Sequence, residues 1–291
     1  MGIQSVGIIG AGTMGNGIAQ ACAVSGLNVV MVDINEAAVA KGLTTIASSL
    51  DRLIKKEKMT EAEKASALAR IKTSTNYQDF TGSQMVIEAA TENYDLKIKI
   101  LKQLDGIVSK DTIIASNTSS ISITQMAAEV SNPQRFIGMH FFNPVPMMKL
   151  VEIIRGLATE DATYQAVEVL AKRMGKAPVM AQDWPGFVVN RILCPMINEA
   201  IQAQMEGVGD VAAIDAGMKL GANHPMGPLE LADFVGLDTL YSVMKVLHEG
   251  LGDSKYRPSP LLAKYVEAGW YGRKSGRGFY DYSTTPPTPT R

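Results

Sequence analysis

At 291 residues the chain exceeds what one hydrophobic core usually fills, so its length points to two domains. Lys and Arg number 28 against 29 Asp and Glu, and this formal net charge of −1 excludes charge-driven binding of the whole molecule to nucleic acid or an anionic membrane. The two cysteines, Cys22 and Cys194, lie in apolar helical patterns without metal-ligand spacing; they exclude a disulfide framework, point to no metal site and suit a reducing cytoplasm. No apolar run reaches transmembrane length, and Met1 leads straight into a strand pattern, so a soluble, unprocessed protein is expected.

In chain order, residues 3–9 read as a strand, 14–25 as a helix, 28–32 as a strand, and 36–70 as a charged helical pair broken near Met59 and Thr60. Further strands are expected at 71–75, 85–89 and 112–115, each followed by a helix or turn, which is the βαβ rhythm of a parallel sheet. The rhythm changes at 135–142 and 148–154, where "NPVPM" is too short for a crossover helix, so an antiparallel edge hairpin is expected. A helix at 161–174 and a strand at 177–181 complete this part. The segment "DWPGF" then punctuates the chain, with Pro185 suited to a first helical turn. Beyond it, helices are expected at 187–205, 211–220, 229–234, 239–248 and 260–268, with no convincing strand before "GFYDY". The reading is an α/β fold: a Rossmann-type, mostly parallel domain over residues 1–184 and a smaller all-helical domain over 185–291. The Pro/Thr-rich tail, 283–291, has little to bury and is expected to be disordered.

The stretch "VGIIGAGTMGNGIAQ" sets Gly10, Gly12 and Gly15 in G-x-G-x-x-G spacing between a strand and a helix. The first glycine permits the tight turn, the second lets a pyrophosphate approach the backbone, and the third lets helix and strand pack closely. Asp33 follows Gly12 by 21 residues, at the end of the second strand, where a carboxylate accepts bonds from ribose hydroxyls and repels a 2′-phosphate. Together these point to NAD; a glycine-rich structural turn is the alternative.

The hairpin carries one of only three histidines, His140, and Glu152 follows it by twelve positions. If the strands fold about Val145, residue 140 faces residue 150, and Glu152 becomes a diagonal neighbour on the same face. A carboxylate there can fix the imidazole tautomer and favour the imidazolium that forms when the ring removes a hydroxyl proton beside a nicotinamide. From the hairpin alone, a core histidine bonded to a backbone carbonyl accounts for His140 better than a catalytic one. His224, in a turn, and His248, near a helix C-terminus, are weaker candidates. "ASNTSS" follows a strand at the ligand-binding edge, where Ser119 can reach a substrate oxygen or simply cap a helix. Asn190 stands one turn after Gly186, as an amide directed to the domain cleft or as an exposed helix polar residue.

Taken with "EAATEN", "SNTSS", "HFFNPVPMMKLVEI", "DWPGFVVNRIL", "NHPMGPLELADFVGLD" and "GRKSGRGFYDY", in that order, the glycine turn resembles the 3-hydroxyacyl-CoA dehydrogenase family over nearly the whole chain. Length and start resemble its stand-alone bacterial members acting on 3-hydroxybutyryl-CoA, without the hydratase domain of multifunctional relatives. The resemblance implies NAD-dependent oxidation of (S)-3-hydroxyacyl-CoA to 3-ketoacyl-CoA and the reverse, with short chains preferred. It implies His140 as acid/base, Glu152 as its partner, and Ser119 and Asn190 as the groups orienting substrate oxygen and imidazole. It places Glu92, Lys97 and Lys274 near the cofactor, with Ser119 beside them, and Ser49 and Lys56 on coenzyme A. Arg52, Lys55 and Lys58 add to Lys56 the local basic patch that a CoA phosphate needs. A homodimer paired through the helical domain is implied as well. Departures are Trp184 before Pro185 and the Pro/Thr tail. Two other readings fit the same motifs: a dehydrogenase of free hydroxy acids resembling gulonate 3-dehydrogenase, and a non-catalytic NAD-binding protein. The basic patch disfavours the first, and the retained Ser119, His140, Glu152 and Asn190 disfavour the second.

Overall fold

In the computed structural model, which describes residues 2–290, the chain divides into two compact units, Met1–Trp184 and Pro185–Arg291. Met1 and Arg291, the outermost residues of the two expected domains, lie outside the described residues. The first unit alternates β1 (Ser5–Ile9), α1 (Thr13–Val24), β2 (Asn28–Val32), α2 (Glu36–Lys55), α3 (Glu61–Ala69), β3 (Ile71–Ser74), β4 (Met85–Glu88), α4 (Tyr94–Asp105), β5 (Ile113–Ser116), α5 (Ile123–Ala127), β6 (Phe136–Phe141), β7 (Leu150–Arg155), α6 (Asp161–Arg173) and β8 (Ala177–Gln182). Local chemistry sets the boundaries. Asn35 and Thr60 cap the starts of α2 and α3, Thr60 in a reciprocal capping box with Glu63, which is why the charged pair breaks where it does.

Among the described residues these strands form one sheet in the order β3-β2-β1-β4-β5-β6-β7-β8, with β6 and β7 antiparallel and the other neighbours parallel. The hairpin therefore lies towards one side of the sheet, and β8 adds outside it, parallel to β7. β4 and β5 are buried at every position, as strands covered on both faces must be, and Ile8, Ile18, Met31, Ile87 and Val151 belong to one continuous core. The order reverses between β1 and β4, so the carboxyl ends of these strands open a crevice.

The second unit comprises α7 (Val189–Met205), α8 (Val211–Gly221), α9 (Pro228–Val235), α10 (Leu237–Leu251) and α11 (Pro260–Glu267) around Ile197, Leu229, Leu240 and Phe279. Its last segment carries β9 (Tyr280–Asp281) and β10 (Thr288–Pro289), paired antiparallel. The tail thus departs from the expected disorder. It has little apolar surface to bury, but Thr288 and Pro289 pair with Asp281 and Tyr280, and Thr290 donates from N to Phe279 O at 2.9 Å and from Oγ1 to Gly278 O at 2.7 Å. No described helix is long and apolar enough to cross a membrane.

Candidate active site

The glycine turn is built as its spacing requires. Gly10 takes φ +100°, a conformation that L side chains rarely adopt, and a Cβ on Gly15 would stand 1.8 Å from Gly10 O. A Cβ on Gly12 would meet nothing within 4 Å, so open space faces the turn at the start of α1. Asp33, just past β2, closes the arrangement: Ala11 N donates to its Oδ2 at 2.6 Å and Ile34 N to its Oδ1 at 2.7 Å. Gly12 and Asp33 line two clefts of about 420 and 290 Å³. The larger is walled by Ile34, Tyr77, Leu96 and Ile100, an apolar slot suited to a flat heteroaromatic ring, and the smaller by Asn16, Lys41 and Thr45. Backbone approach at Gly12, a carboxylate between the clefts and an apolar slot beyond it fit a dinucleotide.

Next to this turn the ends of β4 and β5 carry a buried charge network. Glu88, paired in register with Ile9, accepts from Ala90 N at 2.7 Å, Ser116 Oγ at 2.6 Å and Lys97 Nζ at 2.7 and 2.9 Å. Lys97 is 1% exposed and Glu88 wholly buried, and removing one partner of such a pair typically costs about 3–5 kcal/mol. Lys97 Nζ also lies 3.5 Å from Glu92 Oε2. Oε1 of Glu92 in turn receives Thr118 Oγ1 at 2.6 Å, Ser119 N at 2.9 Å, Ser119 Oγ at 3.2 Å and Ser120 N at 3.1 Å. Burial pushes the Glu92 carboxyl up, but the Lys97 charge and these donors outweigh it and hold the carboxyl below its ordinary value. The network therefore joins Glu92, Lys97 and Ser119, and it encloses the Lys97 ammonium among oxygens.

His140 and Glu152 stand directly opposite each other on β6 and β7. This corrects the expected register. The pairing centres on residue 146, because the eight-residue connector 142–149 is not a tight turn about Val145, so residue 152 and not 150 faces His140. His140 Nδ1 lies 2.8 Å from Glu152 Oε2, with 7% and 0% of the two residues exposed. With Nδ1 bonded to the carboxylate, proton exchange with a ligand falls to Nε2. Phe141 N donates to Asn117 Oδ1 at 2.9 Å and ties the end of β6 to the loop that bears Ser119. The glycine turn, Asp33, Glu92, Ser119 and His140 all belong to the carboxyl-end side of the parallel strands.

The remaining candidates lie elsewhere. Ser49 is half-buried on α2, and Lys56 is exposed at its C-cap; seven residues apart, they share a helix face beyond Thr45. Asn190 is the second residue of α7, and Lys274 pairs with Asp238 at 2.7 Å; both belong to the second unit. Both cysteines are buried thiols pushed up to about 12 by burial, which makes them inert core residues. Among the described residues no cluster of His, Cys, Asp and Glu is arranged to hold a metal ion. Glu88, Asn117, Lys41 and Thr45 have no role in the sequence reading. The one available signal was Glu88 itself, a carboxylate ending the otherwise apolar strand "MVIE".

A doubly wound sheet with an anion-binding glycine turn, an acid at the end of the second strand and a buried histidine–carboxylate pair defines a dinucleotide-dependent oxidoreductase. Residues 5–184 match 3-hydroxyacyl-CoA dehydrogenase, NAD binding domain, and residues 186–282 match 3-hydroxyacyl-CoA dehydrogenase, C-terminal domain. The chain belongs to the 3-hydroxyacyl-CoA dehydrogenase family and is an NAD-dependent oxidoreductase. It is 55% identical over 289 residues to the 3-hydroxybutyryl-CoA dehydrogenase of Bradyrhizobium diazoefficiens, covering 99% of each chain. To a probable 3-hydroxybutyryl-CoA dehydrogenase of Bacillus subtilis it is 56% identical over 282 residues, 97% of this chain and 98% of that one. Among solved structures, the (S)-3-hydroxybutyryl-CoA dehydrogenase of Ralstonia eutropha superposes with a TM-score of 0.95 at 67% identity, covering 97% of this chain and 100% of that one.

Proposed function

We propose that the protein oxidises (S)-3-hydroxyacyl-CoA, with 3-hydroxybutyryl-CoA the preferred substrate, to 3-ketoacyl-CoA and catalyses the reverse reduction. The observation that carries the reading is the direct pairing of His140 Nδ1 with Glu152, two buried groups on strands of the sheet that bears the glycine turn. NAD⁺ bound over Gly10, Gly12 and Gly15 supplies the hydride acceptor. In oxidation, His140 Nε2 takes the substrate hydroxyl proton as the carbon–oxygen double bond forms and the hydride leaves carbon. Glu152 stabilises the resulting imidazolium and keeps the ring in one tautomer. In reduction the same imidazolium returns its proton to the carbonyl oxygen.

Ser119 orients the substrate oxygen, and Glu92 holds Ser119 through its backbone N and Oγ. The family resemblance assigns Asn190, near the start of α7, to orienting the substrate oxygen together with Ser119. Asp33 takes the adenosine ribose, Glu92 and Lys274 serve the cofactor, and Lys97, enclosed as it is, acts through Glu92. Ser49 and Lys56 contact coenzyme A, with Arg52, Lys55 and Lys58 adding charge for its phosphates. Residues 1–184 serve as the NAD-binding domain and 185–291 as the substrate and dimerisation domain. Exposed Ile192, Leu220 and Phe234 in the helical unit support a homodimer, and the buried free thiols support a cytoplasmic location.

NADH consumption with acetoacetyl-CoA tests the reading. Turnover of the thioester supports it. Activity confined to free hydroxy or keto acids would replace it with the gulonate-type reaction, and NADH binding without turnover of either would make this an NAD-binding protein without catalysis.

A further inference from the structure

Between the strands that carry His140 and Glu152, the chain cannot build its own ladder. Pro144 and Pro146 offer no N–H, and Met147 N and Met148 N both bond back to Pro144 O at 3.0 Å, which leaves other carbonyls of the connector needing donors from elsewhere. Lys176 supplies them. Its Nζ donates to Val145 O at 2.5 Å and to Met148 O at 2.9 Å, and the next residue, Ala177 N, donates to Lys149 O at 2.8 Å. Lys176 is half-buried and takes part in none of the ion pairs among the described residues, so its charge is spent on two backbone carbonyls. On the other side the connector is wedged against the cofactor helix: Val145 is 2% exposed, and a Cβ on Gly17 of α1 would lie 2.9 Å from Val145 Cβ. The eight residues joining the two strands are thus clasped between α1 and one ammonium group.

We infer that Lys176 is a positioning residue for the reaction, holding the connector so that His140 stays paired with Glu152 at the height set by the phosphate-binding helix. The inference rests on the reading of His140 as the acid/base. Its physical basis is the closure of the hairpin: the ladder pairs β6 with β7 as far as Phe141 and Val151, and beyond it the connector has few bonds of its own. Without the ammonium, two carbonyls lose their donor and the connector relaxes. A misplacement of about 1 Å at a reacting group can lower the rate about a hundredfold.

The test is steady-state reduction of acetoacetyl-CoA by wild type, Lys176→Met, Lys176→Arg, His140→Ala and the His140→Ala/Lys176→Met double variant, with NADH affinity measured by fluorescence titration. Lys176→Met should lower kcat at least about tenfold while leaving the NADH Kd and the thioester KM within about threefold of wild type. Lys176→Arg, which keeps the charge, should recover most of that loss. Adding Lys176→Met to His140→Ala should lower kcat no further, because a positioning residue has nothing left to position. Unchanged kcat in Lys176→Met overturns the inference, as does a kcat loss that persists in the His140→Ala background. A loss accompanied by failure to bind NADH, including failure to fold, overturns it too, since Lys176 would then be a general stabiliser. If His140→Ala itself keeps wild-type kcat, the proposed chemistry fails, whatever Lys176 does.

Discussion

His140 is chemically useful because of what its Nδ1 meets. A carboxylate 2.8 Å away in a buried site holds the ring in one orientation and dictates which nitrogen meets the substrate proton. Glu152→Gln keeps the shape and removes the charge, so NADH binding should survive while kcat falls by about two orders of magnitude or more. The double variant His140→Ala/Glu152→Gln should be little worse than either single one, because the two act as a unit. A double variant much worse than either single one would show that the glutamate has a separate duty in bracing the hairpin. Asp33 has two duties, because its carboxylate oxygens already hold Ala11 N and Ile34 N. Asp33→Ser should weaken NAD binding about tenfold or more and narrow the gap to NADP, as both the ribose contact and the charge opposing a 2′-phosphate are lost. Isothermal titration with both cofactors checks this.

At the scale of elements, the turn between β1 and α1 leaves no room for side chains. Gly15→Ala would bring a Cβ against a backbone oxygen, which cannot rotate away, so α1 must move off β1. The protein should remain folded and lose NADH affinity at least about tenfold, read by fluorescence titration alongside circular dichroism. Unaltered affinity would mean that the helix start does not bind the pyrophosphate. The same turn was legible in the sequence because it is contiguous: spacing, preceding strand and following helix all fall within residues 5–24. The hairpin was legible only in part. Alternation along each strand put residues 140 and 152 on one face, but the pairing partner depended on the shape of the connector, which Pro144, Pro146 and Lys176 determine together. Likewise α4 brings Lys97 to Glu88, nine residues away in the chain, and this closes an ammonium that the family resemblance had set beside the cofactor.

On the scale of the whole molecule, the helical unit is closed by its own buried acids. Asp233 accepts from Phe279 N, Tyr280 N and Tyr282 OH at 2.9, 2.9 and 3.1 Å, and Asp215 accepts from Leu229 N, Glu230 N and Tyr280 OH at 2.8, 2.9 and 2.7 Å. This is what the "GFYDY" segment does: it latches the C-terminal stretch onto α8 and α9. Burial raises the Asp233 carboxyl from 3.8 to about 6; the Phe279, Tyr280 and Tyr282 donors oppose that rise, and the neighbouring Asp215 charge adds to it. A carboxyl whose folded value is raised contributes stability that is fully present below its unfolded value and is lost as pH rises through the folded one. The contribution of Asp233 should therefore decline between about pH 4 and above pH 6. Thermal unfolding of wild type and Asp233→Asn across pH 4.5–7.5 checks it: the difference between the two should change through this window, and a constant difference would mean that Asp233 is ionised throughout.

The sequence by itself determined the alternation of strands and helices, the glycine turn with Asp33, the helical character of the second half, and the presence of a histidine and a glutamate on one hairpin face. These follow from periodicity and steric rules acting over a few neighbouring residues, and such rules need no knowledge of the rest of the chain. Tertiary structure alone decided that Glu152 faces His140 directly, that Glu88 and Lys97 neutralise each other under Glu92, that the tail pairs with Tyr280–Asp281, and that Lys176 serves backbone carbonyls and no carboxylate. Each of those outcomes depends on which separate elements pack together, because a buried charge is bonded by whatever donor or acceptor the packing brings within about 3 Å.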